Sequence, residues 1–211
     1  MEYINGNTLE YIDKRQLSYN DKILIIFELM IVIEFLHRNH FIYRDLKPNN
    51  VMIDENKTAV LIDFDRMIQF KDRKYTYTND FSSLFIAPEV NLENYSYECD
   101  IYSLGLIMFY IIESKNPTKE NLNNYFQLSE ENYLKNIIKS CINTNPKERP
   151  IIIELLLEFY VENHEYIHLE KLLEIYRTKF KKYRKLQFLD VFQKNKIDSQ
   201  YKLGTIYVYT N

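Results

Sequence analysis

The stretch Ile101–Ile112, IYSLGLIMFYII, most narrows what this chain can fold into. A helix built from it is apolar on every side, so no face of it suits water. Its 12 residues fall short of the ~20 that a membrane-spanning helix needs. It therefore reads as a helix over Asp100–Glu113 buried at the centre of a globular domain. The remaining residues must wrap it. With 46% apolar residues in 211, the chain has the material for a sizeable core. Mixed charge argues against disorder. A net charge of −3 favours neither nucleic acid nor a membrane surface as a partner. Cys99 and Cys141 are too few and too far apart for a disulfide framework, which suits a reducing, cytoplasmic compartment.

The flanking sequence supplies the wrapping elements. MEYINGNTLEYI reads as a short extended piece, a turn at Asn5-Gly6 and a short helix. Asn20–His37 is a helix, with Ile23, Phe27, Met30 and Phe35 near one face. FIY, NVMID and AVLID are short strands with loops between them. Lys71–Asp80 is polar and threonine-rich, hence a mobile loop. Glu130–Cys141 and Ile151–Glu162 are further helices, punctuated by Pro146 and Pro150. The composition turns charged and aromatic after Asn163, which places a boundary between residues 1–162 and an extension over 163–211. The class is mainly α with a few short strands.

Between two of those strands runs HFIYRDLKPNNVMID, with Arg44, Asp45, Lys47 and Asn50 crowded together. Such charges do not help a core, so they read as groups held on a loop to meet something charged. Asp63 stands at the next strand-to-loop junction, in LIDFD. A carboxylate base, an amide oxygen and a second carboxylate can position a hydroxyl nucleophile and hold Mg²⁺ on a polyphosphate, since hard oxygens suit that ion. Lys47 can neutralise charge on a transferring phosphoryl group.

On these residues the chain resembles the eukaryotic protein kinase family. YRDLKPNN resembles its catalytic loop, with Tyr43 where His is usual. DFD resembles its metal-binding triplet, with Asp65 where Gly is usual. FIAPE, CDIYSLG and CINTNPKERP follow in family order and spacing, and MEYINGNTLEYI resembles the hinge. The resemblance covers residues 1–162 and implies a kinase-like large lobe plus a helical C-terminal extension, with the N-terminal lobe absent. It implies that Asp45 accepts the proton of a Ser or Thr hydroxyl on a protein substrate. Lys47 would steady the γ-phosphate of ATP, and Asn50 and Asp63 would hold Mg²⁺. Glu2, Ile4 and Met52 would meet adenine. Asp100 would tie down the catalytic loop, and Glu89 would pair with Arg149. Ser82 falls where the family orients its catalytic Asp, and Arg44 would receive a phosphate on Thr78.

The family also has a glycine-rich loop, whereas this chain has three glycines, Gly6, Gly105 and Gly204. The expectation is a truncated chain or a lone large lobe, with weak nucleotide binding by itself. A catalytically inactive docking module, a pseudokinase-like scaffold, is the rival reading. HEYIH at His164–His168 matches the zinc-hydrolase helix, with Glu165 as base and Glu170 or Glu174 as third ligand. Coincidence is the weightier reading of it. RTKFKKYRK reads as a solvated face rather than an RNA contact. SQYKLGTIYVYTN resembles the opening of a Sel1-like repeat, so the extension is expected to meet a protein partner.

Overall fold

A computed structural model describes residues 4–71, 84–92, 96–128 and 130–167. Ten elements follow in order: β1 (Gly6–Thr8), α1 (Tyr19–Arg38), β2 (Phe41–Ile42), β3 (Val51–Asp54), β4 (Ala59–Leu61), β5 (Ile68–Gln69), α2 (Glu98–Glu113), α3 (Lys119–Leu128), α4 (Tyr133–Cys141) and α5 (Ile152–Asn163). Short 3-10 turns cover Lys14–Gln16, Pro48–Asn50, Pro88–Leu92 and Pro146–Glu148. The chain divides into two compact units, Met1–Leu156 and Leu157–Asn211, and the division falls inside α5.

The apolar stretch forms the helix expected of it. Twelve of the 16 residues of α2 are buried, and it ends where Ser114 turns left-handed at φ 56°. Lys22 reaches from α1 to donate to the Ile112 carbonyl at 3.0 Å, a cation at the negative end of α2.

Helix α1 begins at a reciprocal cap. Ser18 Oγ accepts from the Asp21 amide at 3.1 Å, and the Asp21 carboxylate accepts from the Ser18 amide at 3.0 Å. It is buried almost all round between Ile23 and Ile33, more than one apolar face would give, while Phe35 is only half-buried. Two carboxylates share that burial. Glu28 accepts from the Ala59 amide at 2.6 Å and so fastens β4 to the helix. Glu34 pairs with Arg38 one turn on. Burial outweighs that pair and raises the Glu34 carboxyl above its ordinary value.

The strands form two small antiparallel sheets. One has the order β1-β3-β4, with Gly6 opposite Asp54, Thr8 opposite Met52, and Met52 opposite Val60. The other pairs β2 with β5, Ile42 opposite Ile68. Ile42, Ile68, Ala87, Val90 and Cys99 form one apolar cluster, which joins that ribbon to the start of α2.

Several expectations need correction. Gly6 belongs to a strand, not a turn: it pairs with Asp54, and glycine suits the position because a Cβ there would lie 2.3 Å from the Ile53 carbonyl oxygen. The short helix expected at the end of MEYINGNTLEYI does not form: the Tyr11 amide donates to the Thr8 carbonyl in a turn, and the first helical piece is the later 3-10 turn Lys14–Gln16, where the Asp13 side chain caps the Arg15 amide. Helix α4 starts at Tyr133 rather than Glu130, since Asn132 accepts from the Lys135 amide at 2.9 Å and sets the boundary. Helix α5 stops at Asn163, whose side chain donates to the Phe159 carbonyl. His164 follows in a turn, exposed, with a ring nitrogen 2.9 Å from the Val161 carbonyl, so the helical face that a zinc site needs is not formed there. His168, Glu170, Glu174, most of the Lys71–Asp80 loop, the basic run and the Sel1-like segment lie outside the described residues. Among the described residues no helix is long and apolar enough to cross a membrane.

The approach of α2 to α4 depends on Gly105, where an added Cβ would lie 2.6 Å from Cys141 Cβ and 2.9 Å from Ile142 Cγ2. A Gly→Ala change within a helix gains about 1 kcal/mol in propensity. Overpacking a core costs about 1–3 kcal/mol. Gly105→Ala is therefore expected to lower the urea unfolding midpoint; an unchanged or raised midpoint would show that the helices can part without cost.

Candidate active site

Asp100, in the first turn of α2, has no solvent exposure. Its carboxylate accepts three hydrogen-bonding partners: the Tyr43 amide at 2.9 Å and His37 Nε2 at 2.8 Å on Oδ2, and the Arg44 amide at 2.8 Å on Oδ1. Arg44 has φ 69°, a left-handed conformation that costs a side-chain-bearing residue about 1–2 kcal/mol. The bond from its amide to a buried charge holds it there. The segment after β2 is thereby fixed in the turn that delivers Asp45.

Asp45 is buried, as is Asn50, while Lys47 is half-buried. Lys47 Nζ donates to Asp45 Oδ2 at 2.8 Å and to Oδ1 at 3.0 Å. Asn50 Nδ2 donates to Asp45 Oδ2 at 2.8 Å and to the Asp45 carbonyl at 2.9 Å. The 3-10 turn Pro48–Asn50 folds Asn50 back over Asp45, and Pro48 opens it without a missing bond. Three residues spaced over six positions thus meet at one carboxylate.

Asp63 joins them from the end of β4. The Ile62 amide donates to the Asn50 carbonyl at 2.9 Å, which sets the two loops side by side. Asp63 itself is left-handed at φ 59° and exposed, with the Asp65 amide 3.4 Å from its Oδ1. Tyr43 packs edge-on against Phe64, ring centroids 5.6 Å apart, and donates its hydroxyl to the Ile62 carbonyl at 2.5 Å. Burial, then the charges of Asp45 and Asp63, hold its phenol well above the ordinary value. It stays a protonated donor at any working pH. Tyr43 does more than pack: it fastens the Asp45 loop to the Asp63 loop.

The donor set suits Mg²⁺. Asn50 donates its amide nitrogen to Asp45 and its amide also meets the Tyr43 phenol, its oxygen is a hard atom of the kind Mg²⁺ takes, and Asp63 is exposed. Mg²⁺ commonly takes one or two protein oxygens and completes its shell with water and phosphate. Among the described residues no group of three His, Cys, Asp or Glu side chains could hold a metal by itself.

A second buried pair braces the floor. Arg149 donates through Nη1 to Glu89 Oε1 at 2.5 Å and through Nη2 to Oε2 at 2.9 Å. It also donates to the carbonyls of Glu98 at 2.9 Å and Asn143 at 2.8 Å, and its plane lies 4.7 Å from the Tyr102 ring centre. Cys99 lies beside this network, where burial, with Asp100 and Glu89, pushes its thiol well above the ordinary range, so it is an inert core group.

Of the other expected site residues, Met52 lies on β3 opposite Thr8, and half-buried Ile4 leads into β1. Glu2, Thr78 and Ser82 lie outside the described residues. Two residues emerge that the sequence reading passed over. His37 shares the Asp100 carboxylate, and its place in the last turn of α1, six residues before Tyr43, was the available signal. Arg66, directly after the DFD triplet, faces Asp45 with Nε 3.9 Å from Oδ2.

Two comparisons bear on this geometry. The family model for the protein kinase domain matches residues 1–161. A probable serine/threonine-protein kinase of Dictyostelium discoideum is 31% identical over 153 residues, which cover 66% of this chain and 26% of that protein. A probable serine/threonine-protein kinase of Lactococcus lactis is 30% identical over 152 residues, 70% of this chain and 24% of the relative. The catalytic subunit alpha of an SNF1-related protein kinase from Arabidopsis thaliana is 27% identical over 178 residues, 78% of this chain and 36% of the relative. The chain thus spans between about a quarter and a third of the length of these relatives.

Two outcomes follow from the buried anchors. Asp100→Ala orphans two buried amides at about 1–3 kcal/mol each. Urea unfolding should show a loss of about 2–6 kcal/mol, and hydrogen exchange at Tyr43 and Arg44 should accelerate; unchanged protection of those amides would remove Asp100 as the anchor. Arg149→Lys keeps the charge but cannot make the two-pronged bond. It should cost up to the ~3–5 kcal/mol typical of a broken buried pair, read from the same unfolding curves.

Proposed function

Because the chain belongs to the protein kinase domain family, we propose that its site transfers the γ-phosphoryl group of ATP to a serine or threonine hydroxyl of a protein substrate. The observation that carries this reading is the convergence of Lys47 and Asn50 on the buried Asp45 carboxylate, with Asp63 beside them. In the transfer the acceptor oxygen bonds to the γ-phosphorus and its proton passes to Asp45. The bond from that phosphorus to the bridging oxygen breaks, and ADP leaves with the electron pair. Lys47, already within 3.0 Å of both Asp45 oxygens, places a cation where the transferring group carries its charge. Asn50 and Asp63 would hold Mg²⁺, which when bound screens the phosphate oxygens. Ile4 and Met52, with Glu2, would form the adenine floor. Arg44 would receive a phosphate on Thr78, and Ser82 would orient Asp45.

The residues present supply the hinge and the large lobe of such an enzyme. With glycines only at positions 6, 105 and 204 they supply no glycine-rich phosphate cradle. This favours a second reading for the 211-residue chain taken alone: a docking lobe with catalytic ancestry.

Two measurements separate these readings. With a kinase small lobe supplied ahead of the chain, Asp45→Asn and Asp63→Asn should each abolish transfer of radiolabelled phosphate to protein, since loss of a base alone typically costs ~10²–10⁴-fold. Near-normal turnover in either variant would refute the assignment. The 211-residue chain alone should bind Mg·ATP in calorimetry no tighter than millimolar, about −4 kcal/mol. Micromolar binding, with turnover lost in Asp45→Asn, would make the lone lobe a working kinase.

A further inference from the structure

Arg66 has no part in the roles assigned above, yet it is held in place with care. Its carbonyl accepts from Arg44 Nε at 2.7 Å. Arg44 is itself fixed through its amide to Asp100. A continuous series of short contacts therefore runs from the buried start of α2, through the left-handed Arg44, to the backbone of Arg66. That backbone position brings the Arg66 guanidinium to Asp45, with Nε 3.9 Å from Oδ2 and the side chain one-third exposed.

The two oxygens of Asp45 are not equivalent. Oδ2 accepts from Lys47 at 2.8 Å and from Asn50 at 2.8 Å, and faces Arg66 besides. Oδ1 accepts from Lys47 at 3.0 Å. A carboxylate oxygen has two lone pairs in the carboxyl plane. On Oδ2 both are directed at protein donors, and Arg66 adds a positive charge on that side. On Oδ1, among the described residues, Lys47 is the donor seen.

We propose that Arg66 is a positioning residue for the transfer: together with Asn50 it pins Oδ2 of Asp45, so that Oδ1 is the atom presented to the acceptor hydroxyl. The inference rests on the phosphoryl-transfer reading. The competing view is an ordinary surface ion pair, which contributes little. Three features weigh against that view. The partner carboxylate is buried, it already carries two shorter donors, and the Arg66 backbone is locked by a second arginine. Because Arg66 acts through Asp45, its removal should loosen the alignment of the base without weakening nucleotide contacts. The effect belongs in kcat rather than in KM for ATP.

The test is steady-state kinetics on the chain with a kinase small lobe supplied ahead of it, with Arg66→Gln, Arg66→Met, Arg66→Lys and Asp45→Asn side by side and thermal melting of each. Arg66→Gln and Arg66→Met should lower kcat by about tenfold, a fraction of the ~10²–10⁴ that a base supplies. KM for Mg·ATP and the melting midpoint should stay near those of the unaltered protein. Arg66→Lys should recover most of the loss, since an ammonium restores the charge beside Oδ2. Undiminished or raised kcat in either charge-removing variant, or a loss confined to KM, overturns the inference while Asp45→Asn remains dead. Equal damage in Arg66→Lys and Arg66→Gln also overturns it. Turnover that survives Asp45→Asn, or no turnover in the unaltered protein, overturns the transfer reading and this inference with it.

Discussion

The carboxylate of Asp100 is the point on which the rest of the site depends. A charge without solvent exposure is costly unless its lone pairs are used, and here they take two backbone amides and an imidazole. The same bonds hold Arg44 in a conformation it would not choose for itself. The helix that carries Asp100 is the most apolar helix among the described residues, so a shift toward solvent to relieve the charge would expose its apolar faces. A polar loop is in this way tied to a buried helix of the core. Backbone strain at Arg44 is tolerable because its amide and its guanidinium are both held, by Asp100 and by the Arg66 carbonyl.

From that anchor outward the site is a relay of short polar contacts. The Asp45 loop is tied to Asn50 by side chain, Asn50 to Ile62 by backbone, and Ile62 to Tyr43 by the phenol. Each tie closes a small ring of chain, so Asp45 and Asp63 keep their separation without direct contact. The Glu89–Arg149 pair does the equivalent work beneath, tying the Asn143–Arg149 loop to Glu89 and to the start of α2, 60 and 51 positions before Arg149. Breaking either network leaves buried charge or buried amides without partners, which penalises partial opening and favours all-or-none order.

Much of the architecture was legible because periodicity and apolar runs are local signals. The helix expected over Asn20–His37 forms as Tyr19–Arg38, and the strands FIY, NVMID and AVLID form within a residue or two. The misses have equally local causes. Helix α3 is polar, with Tyr125 its buried residue, so its pattern carried no apolar stripe. Strand β5 is two residues long and exists because β2 stands beside it. Gly6 looked like a turn residue. It serves instead as the gap through which β1 reaches β3, and that need arises from the neighbouring strand.

By itself the sequence determined that a buried helix must lie at the centre and that Asp45, Lys47, Asn50 and Asp63 would stand on adjoining loops. Residue type and short spacing suffice for both, since these groups lie within 19 positions of one another. Only the tertiary structure decided which atoms meet. That His37 and two loop amides share one carboxylate 56 to 63 positions away, and that Arg66 faces Oδ2 of Asp45, depends on how α1, α2 and the β2–β5 ribbon pack. Hydrogen bonds are decided over a few tenths of an ångström and a few tens of degrees. No local pattern encodes that precision; it appears once the core fixes the backbones from which the side chains reach.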